Sequence, residues 1–354
     1  MHIDKEVSMK LLKKLSCLLV VFITTIISAG CANQKLPIKP ISKTELVIGT
    51  VCTITIYDKR DTTIINESFA RLRELENILS ISKSNTELDE VNTMAGIEPV
   101  EVSNDTFNVV KKGLEYSKLS GGSLDITIGP LVKLWGIGTD NAKLPSEKEI
   151  NEKKALIDYN KIQIDESKKS IFLKDPNMII DLGAIAKGYA ADEIVKILKD
   201  AEVSSAIIDL GGNIYVLGDK IDGTPWKVGV QNPEKSGSDT IGFVSVSNKS
   251  IVTSGVYERY FEQDGKNYHH ILSPDTGYPY DNNILGVSIL SNNSIDGDSL
   301  STTLFALGVD EGLKLINSLD DVEAIFITKN HELYLTNGFK KAFTLTNNNY
   351  EIKE

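Results

Sequence analysis

The sequence predicts an α+β fold, a single domain in which helices pack on mixed or antiparallel sheets. Three observations predict it. Short runs rich in Ile, Val and Thr alternate with segments of helical period, so both kinds of element are present. No internal repeat or low-complexity stretch occurs, and no linker divides residues 45 to 347. With 354 residues, 41% of them hydrophobic, the chain is long enough to bury a sizeable core.

Taken in order, the chain opens with an address. Lys10, Lys13 and Lys14 precede an apolar run from Leu18 to Ile27, and the small residues Ser28, Ala29 and Gly30 lead to Cys31. This is the layout of a signal peptide, and the run is shorter than the roughly 20 residues that a membrane-spanning helix needs. Ser28-Ala29-Gly30-Cys31 resembles a bacterial lipobox, with Ser28 where Leu is usual. Residues 1–30 are therefore expected to leave as a lipoprotein signal, with Met1 or Met9 as the start, and Cys31 to carry acyl lipid such as palmitate. That would hold the protein at the extracytoplasmic face of the bacterial cell membrane. An ordinary signal peptide followed by a chance cysteine explains the same residues.

Residues 31–44 are polar with two prolines and read as a tether; the folded domain is expected over 45–354. ELVIGTVCTITIYD reads as a strand. In residues 62–79, Ile65, Phe69, Leu72, Leu75 and Leu79 recur at helical spacing, and further helices are expected over 105–119 and 146–157. IQIDESKKSIFLK reads as a hairpin. Later strands are expected at SSAIID, NIYVLG, WKVGV, SIVTSG, GVSIL and EAIFIT, with helices over 299–307 and 310–318.

Composition narrows the function. The net charge of −11 becomes −13 once residues 1–30, with four lysines and two acidic residues, are removed. A nucleic-acid partner is excluded, because phosphate binding needs a basic face. Cys17 leaves with the signal, so a disulfide framework is not indicated, and Cys52 within VCTITIY reads as core packing.

Four segments hold polar groups in apolar or glycine-rich settings. In IIDLGAIAKGYAADEIVKIL a strand ends at Asp181, a glycine turns, and Lys187 falls near a helix start, where free N–H groups and a cation suit an anion. An Asp cap with a solvated Lys explains the same pattern. IIDLGGNIYVLG carries Gly211-Gly212, but a strand follows and not a helix, so a dinucleotide fingerprint is rejected. In YHHILSPDTGYPYD, His269 and His270 are neighbours and point to opposite sides of a strand, so they make no zinc site. One of them is a candidate general base, and a base of ordinary pKa, about 6.5, predicts activity that falls below that pH. In SIDGDSLSTTLFALG, Asp298 and Thr302 are four apart on one helix face, the hard-oxygen pairing Mg²⁺ favours when phosphates complete its shell. A plain N-cap role for Asp296 or Asp298 fits equally well. The stretch SGGSLDITIGPLVKLWGIG, with five glycines and a proline, suggests backbone forced close to another group, or a set of tight turns.

VIGTVCTI, SGGSLDITIGPLVKLWGIG, DLGAIAKGYAAD, DLGGNIYVLG, SGVYERYFEQDGKNYHHILSPDTGYP and DGDSLSTTLFALG together resemble, in wording and order, the ApbE family of FAD:protein FMN transferases. The resemblance runs from about Glu45 to about Leu345. It implies that FAD lies against Ile48, Ser123-Leu124-Asp125, Asp181, Lys187 and Leu272. It implies a Mg²⁺ site made by the Ala184 carbonyl with Asp298 and Thr302. His270 matches the histidine of the family's HIxDP motif and becomes the candidate base. Ser273 replaces the motif's Asp, Asp125-Ile126-Thr127 replaces Asp-Pro-Thr, and Ser82 stands where a flavin-stacking tyrosine is often found.

The implied reaction is attack by a Thr or Ser hydroxyl of an acceptor redox protein on the FMN phosphorus of FAD, with AMP leaving. A Mg²⁺-dependent FAD pyrophosphatase would need the same groups. A non-catalytic FAD-binding lipoprotein would not.

Overall fold

A computed structural model describes residues 39–234 and 239–353, together with Met9. The signal peptide and the lipidation residue Cys31 lie outside the described residues. Pro40–Glu354 forms one unit.

Nine strands make the central sheet. In spatial order they are β1 (Ile41–Val47), β2 (Thr50–Ile56), β6 (Ala206–Leu210), β7 (Asn213–Leu217), β10 (Lys249–Gly255), β13 (Ile284–Ser291), β14 (Val322–Thr328), β15 (Glu332–Leu335) and β17 (Glu351–Lys353). Every pairing is antiparallel except β15 with β17. The segment expected to be a single strand from Glu45 is instead the hairpin β1–β2, which begins at Ile41, inside the stretch read as tether. Its turn is the pair Ile48-Gly49, both with positive φ (50° and 72°). Two positive-φ residues match a tight hairpin turn to the strand twist, and a β-branched residue there is strained.

The helices expected over 62–79 and 105–119 are present, the one expected over 146–157 is shorter, and three short helices were not expected, Glu87–Thr93, Gly129–Trp135 and Asn337–Ala342. α1 (Thr62–Leu79) buries Ile65, Phe69, Leu72, Leu75 and Leu79, the residues of its periodic face, and Asp61 caps it by accepting the Thr63 N–H at 2.9 Å. α2 (Glu87–Thr93) is capped by Thr86. α3 (Asn104–Leu119) starts at the Ser103 cap. α4 (Gly129–Trp135) ends on Gly136 in the left-handed region. α5 (Glu147–Lys154) is opened by the reciprocal Ser146–Glu149 box. α6 (Ala186–Asp200) and α7 (Ser294–Ile316) cross on one side of the sheet beside α1, and α8 (Asn337–Ala342) is short. α7 replaces the two helices expected over 299–307 and 310–318. It starts five residues earlier than expected, and the predicted break survives as a kink at Gly308, φ 82°.

Small sheets complete the body: β3 (Val100–Glu101), β4 (Ile162–Asp165) and β5 (Ser170–Leu173), then β8 (Trp226–Gln231), β9 (Thr240–Val246) and β16 (Phe343–Leu345). β11 (Tyr260–Gln263) and β12 (Lys266–His269) form a hairpin. The main core lies between the central sheet and α1, α6 and α7. A second fills the space between that sheet and the β8–β9–β16 sheet. A third surrounds fully buried Trp135, on which the stacked Phe261 and Tyr268 of the hairpin rest.

Candidate active site

The crossing of α6 and α7 brings the sequence-predicted oxygen and cation groups together. Asp298, in the second turn of α7, is only 3% exposed. One of its oxygens accepts the Gly188 N–H of α6 at 2.9 Å, and the other faces the Lys187 ammonium at 3.2 Å. Burying a carboxylate demands such partners. Because the Gly188 N–H turns to Asp298, the Ala184 carbonyl, its helical partner by spacing, accepts no hydrogen bond among the described residues. One turn beyond Asp298 sits Thr302, half-buried, its hydroxyl 3.3 Å from that of Ser254.

These three donors fit a hard cation. They supply one carboxylate, one free carbonyl and one hydroxyl, all oxygens. Among the described residues no group of three or more His, Cys, Asp or Glu could hold a metal, so an ion here would have to complete its shell with water and substrate phosphates, as Mg²⁺ does.

The two histidines separate cleanly. His269 is 8% exposed; its Nε2–H donates to the Tyr280 carbonyl at 2.9 Å, its Nδ1 accepts the Ile271 N–H at 3.3 Å, and its ring meets Phe305 edge-on. Both nitrogens are committed, so His269 is structural. His270 is only half-buried, and its Nδ1 faces the Arg259 carbonyl at 3.3 Å. A carbonyl can only accept, so Nδ1 carries the proton and Nε2 keeps its lone pair. Burial, then the Arg259 charge, pulls the imidazole down to about 4. The expectation of an ordinary value near 6.5 is thereby corrected, since a cation is disfavoured in a partly dry site beside a guanidinium.

The other expected contacts spread around this centre. Asp181 accepts the Gly183 N–H at 2.7 Å; desolvation raises its carboxyl, opposed by Gly183 and by the charges of Arg259, Lys133 and Lys187. Asp181 is tied to Ile126 through its own N–H, at 2.8 Å, and the strand expected to end at it is reduced to one bridge, Ile128 with Ile179. Asp125 is turned inward: one oxygen accepts Thr127 N–H and hydroxyl, the other the Tyr159 N–H at 3.0 Å. Its carboxylate holds the loop's shape and Leu124 is buried in the main core, so what that loop offers a ligand is backbone and the half-buried Ser123. The Ser123 carbonyl accepts the Tyr280 hydroxyl at 2.8 Å, and Leu272, buried in the Trp135 cluster, bridges to Pro279 beside Tyr280. Ile48 occupies the strained β1–β2 turn, to which the site is linked by Arg259, whose guanidinium donates to the Gly49 carbonyl at 3.1 Å.

Arg259 and Glu258 were missed by sequence reasoning. Arg259 holds His270 of its own segment through its carbonyl, donates to Gly49 of a second, and lies where a Cβ on Gly138 of a third would meet it at 3.2 Å. The Glu258 carboxyl, solvent-facing yet crowded, is pushed up to about 7 by desolvation and by Asp298, against Lys187 and Arg259. Adjacent opposite charges in YER gave no periodic or spacing signal. A groove lined by Asn92, Ile97, Lys133, Pro176 and Ile179 runs past the Ile179–Asp181 segment, and it contains none of the cation-site oxygens.

Residues 48–326 match the ApbE family. A FAD:protein FMN transferase of Klebsiella pneumoniae is 36% identical over 311 residues, 88% of this chain and 96% of that protein. One from Treponema pallidum is 35% identical over 324 residues, 87% of this chain and 90% of its own. Among solved structures, the ApbE protein of Thermotoga maritima superposes with a TM-score of 0.79 at 28% identity, covering 86% of this chain and 99% of its own. The flavin transferase ApbE of Vibrio cholerae gives 0.78 at 27% identity, covering 86% and 100%. With oxygen donors, lysine and histidine standing on the segments that carried the resemblance, and with relatives matched over nearly their whole length, the chain belongs to the ApbE family.

Proposed function

We propose that the protein is an FAD:protein FMN transferase, which moves FMN from FAD to a Thr or Ser hydroxyl of an acceptor redox protein and releases AMP. The observation that carries this reading is the junction of α6 and α7, where the buried Asp298 carboxylate faces Lys187 and accepts the Gly188 N–H, one helical turn before Thr302 and with the Ala184 carbonyl left without its helical donor.

Asp298, Thr302 and the Ala184 carbonyl would hold Mg²⁺, which neutralises pyrophosphate charge and the departing AMP oxyanion when bound. Lys187, within reach of the same carboxylate, offers an ammonium to the transferring phosphate. His270 Nε2 takes the proton of the attacking hydroxyl; its Nδ1–H, held by the Arg259 carbonyl, fixes the tautomer that leaves this lone pair available. The new bond joins the acceptor oxygen to the FMN phosphorus, the bond from that phosphorus to the bridging pyrophosphate oxygen breaks, and AMP carries away the electron pair. Ile48, the Ser123–Asp125 loop, Asp181 and Leu272 line the approach for FAD. Lipid on Cys31 would keep the enzyme at the extracytoplasmic membrane face, near membrane-borne acceptors.

The test is product analysis with FAD, Mg²⁺ and an acceptor carrying the Thr or Ser. A covalently fluorescent acceptor, heavier by FMN less water, with one AMP per transfer, is expected. Equal AMP and free FMN with or without acceptor would make the protein a pyrophosphatase. Intact FAD throughout would leave an FAD-binding lipoprotein.

A further inference from the structure

The two helices of the site cap one another. α7 begins at Asn293, whose side chain supplies no cap, and α6 begins at Ile185, which has none to supply. Two N–H groups at the start of α7 and one in the first turn of α6 are taken instead by a carboxylate of the other helix. Asp192 of α6 accepts the N–H groups of Ser294 and Ile295 at 2.7 and 2.9 Å. Asp298 of α7 accepts the Gly188 N–H at 2.9 Å. Gly188 to Asp192 and Ser294 to Asp298 are both spans of four residues, about one helical turn. The two contacts are therefore rungs of a short antiparallel ladder. The spacing is fixed from within as well, since a Cβ on Gly188 would lie 2.6 Å from the Ile295 Cα. Behind the ladder, the Ser294 hydroxyl donates to Asn213 at 2.6 Å and meets Ser250 at 2.9 Å, which anchors the start of α7 to β7 and β10 independently of Asp192.

We propose that Asp192 is a positioning residue for the cation site: it sets the register of α7 on α6, and hence whether Asp298 and Thr302 of one helix meet the Ala184 carbonyl that leads into the other. The proposal rests on the reading of those three groups as cation ligands. Asp192 itself touches neither them nor the substrate groups. Its carboxylate satisfies two donors at once, so an amide in its place keeps one acceptor oxygen and an alanine keeps none.

The experiment uses the full chain in detergent without FAD, with Mn²⁺ as the probe, its free concentration read by electron paramagnetic resonance. Outer-shell partners commonly alter metal affinity 10–100-fold. Asp192→Ala is expected to weaken Mn²⁺ binding by about tenfold or more, and Asp192→Asn by less, while FAD affinity in EDTA, read by flavin fluorescence, stays within about twofold. Asp298→Ala, measured alongside, should abolish Mn²⁺ binding. If Asp298→Ala loses Mn²⁺ but both folded Asp192 variants keep it, the positioning role is wrong and the cation site stands. If Mn²⁺ and FAD affinities fall in parallel, Asp192 only holds the fold and the proposal is overturned. Undiminished Mn²⁺ binding by Asp298→Ala would overturn the cation site and the positioning role together.

Discussion

His269 and His270 show how one residue of register separates structure from chemistry. Successive side chains of an extended segment face opposite ways, and the buried one spends both nitrogens on the backbone while the other keeps Nε2 free. His270→Ala is expected to reduce turnover by about 10²–10⁴-fold, the usual worth of a positioned general base. His269→Ala should instead show in urea unfolding, at about 1–3 kcal/mol for the buried partners it strands. Because a base must be neutral and the folded-state value of His270 is lowered to about 4, the acid limb of kcat/KM should fall near pH 4. A limb near pH 7 that disappears in Glu258→Gln would reassign it to Glu258, whose carboxyl is raised to about 7. At the cation site, Asp298→Ala removes the one charged ligand and Thr302→Ala a neutral one. Activity should drop far more in the first, with added Mg²⁺ rescuing the second better, and steady-state rates across a Mg²⁺ series check both.

Among elements, legibility tracked whether the information was local. α1 was readable because its buried face repeats every third or fourth residue between polar ones, and the placement of Asp298 and Thr302 one turn apart on one helix because four residues make a helical turn. What could not be read was tertiary. The sequence offered Asp298 either as a ligand or as a cap for its own helix, and it caps a different helix, a contact across 110 residues. Asp125 likewise belonged to a recognised segment, yet its carboxylate points into the loop, which only the position of Tyr159 reveals. The β1–β2 hairpin was missed because Ile48-Gly49 lacks the Asn or Asp that usually marks such a turn, with Ile held at φ 50° instead. Strain of this kind persists where a side chain is needed. Ile48→Asn, which tolerates that backbone, should therefore raise unfolding stability by about 1 kcal/mol while weakening FAD binding, read by chemical denaturation and flavin fluorescence. A variant that is less stable and binds FAD as before would show that the turn carries no functional strain.

For the whole molecule, the open matter is how the body meets its acceptor, and cysteine chemistry gives a way to ask. Cys52 is fully buried in β2, and burial pushes its thiol up to about 12, so it should stay unreactive toward alkylating reagents until the protein unfolds. Among the described residues no helix is long and apolar enough to cross a membrane, and membrane attachment is proposed to come from lipid on Cys31. Nine residues, Ala32 to Pro40, separate that cysteine from β1. Even fully extended they reach only about 30 Å, so a lipidated enzyme would work close to the bilayer and at high local concentration toward membrane-borne acceptors. Cys31→Ser should then move the protein from the membrane to the soluble fraction. On a soluble acceptor its rate should be unchanged, because no proposed ligand or base lies before Ile48. On an acceptor embedded in vesicles the rate should fall, since each encounter becomes a bimolecular search through solution. Fractionation, intact mass and the two flavinylation rates measure this together, and an unaltered protein found unlipidated and free of the membrane would refute the anchor.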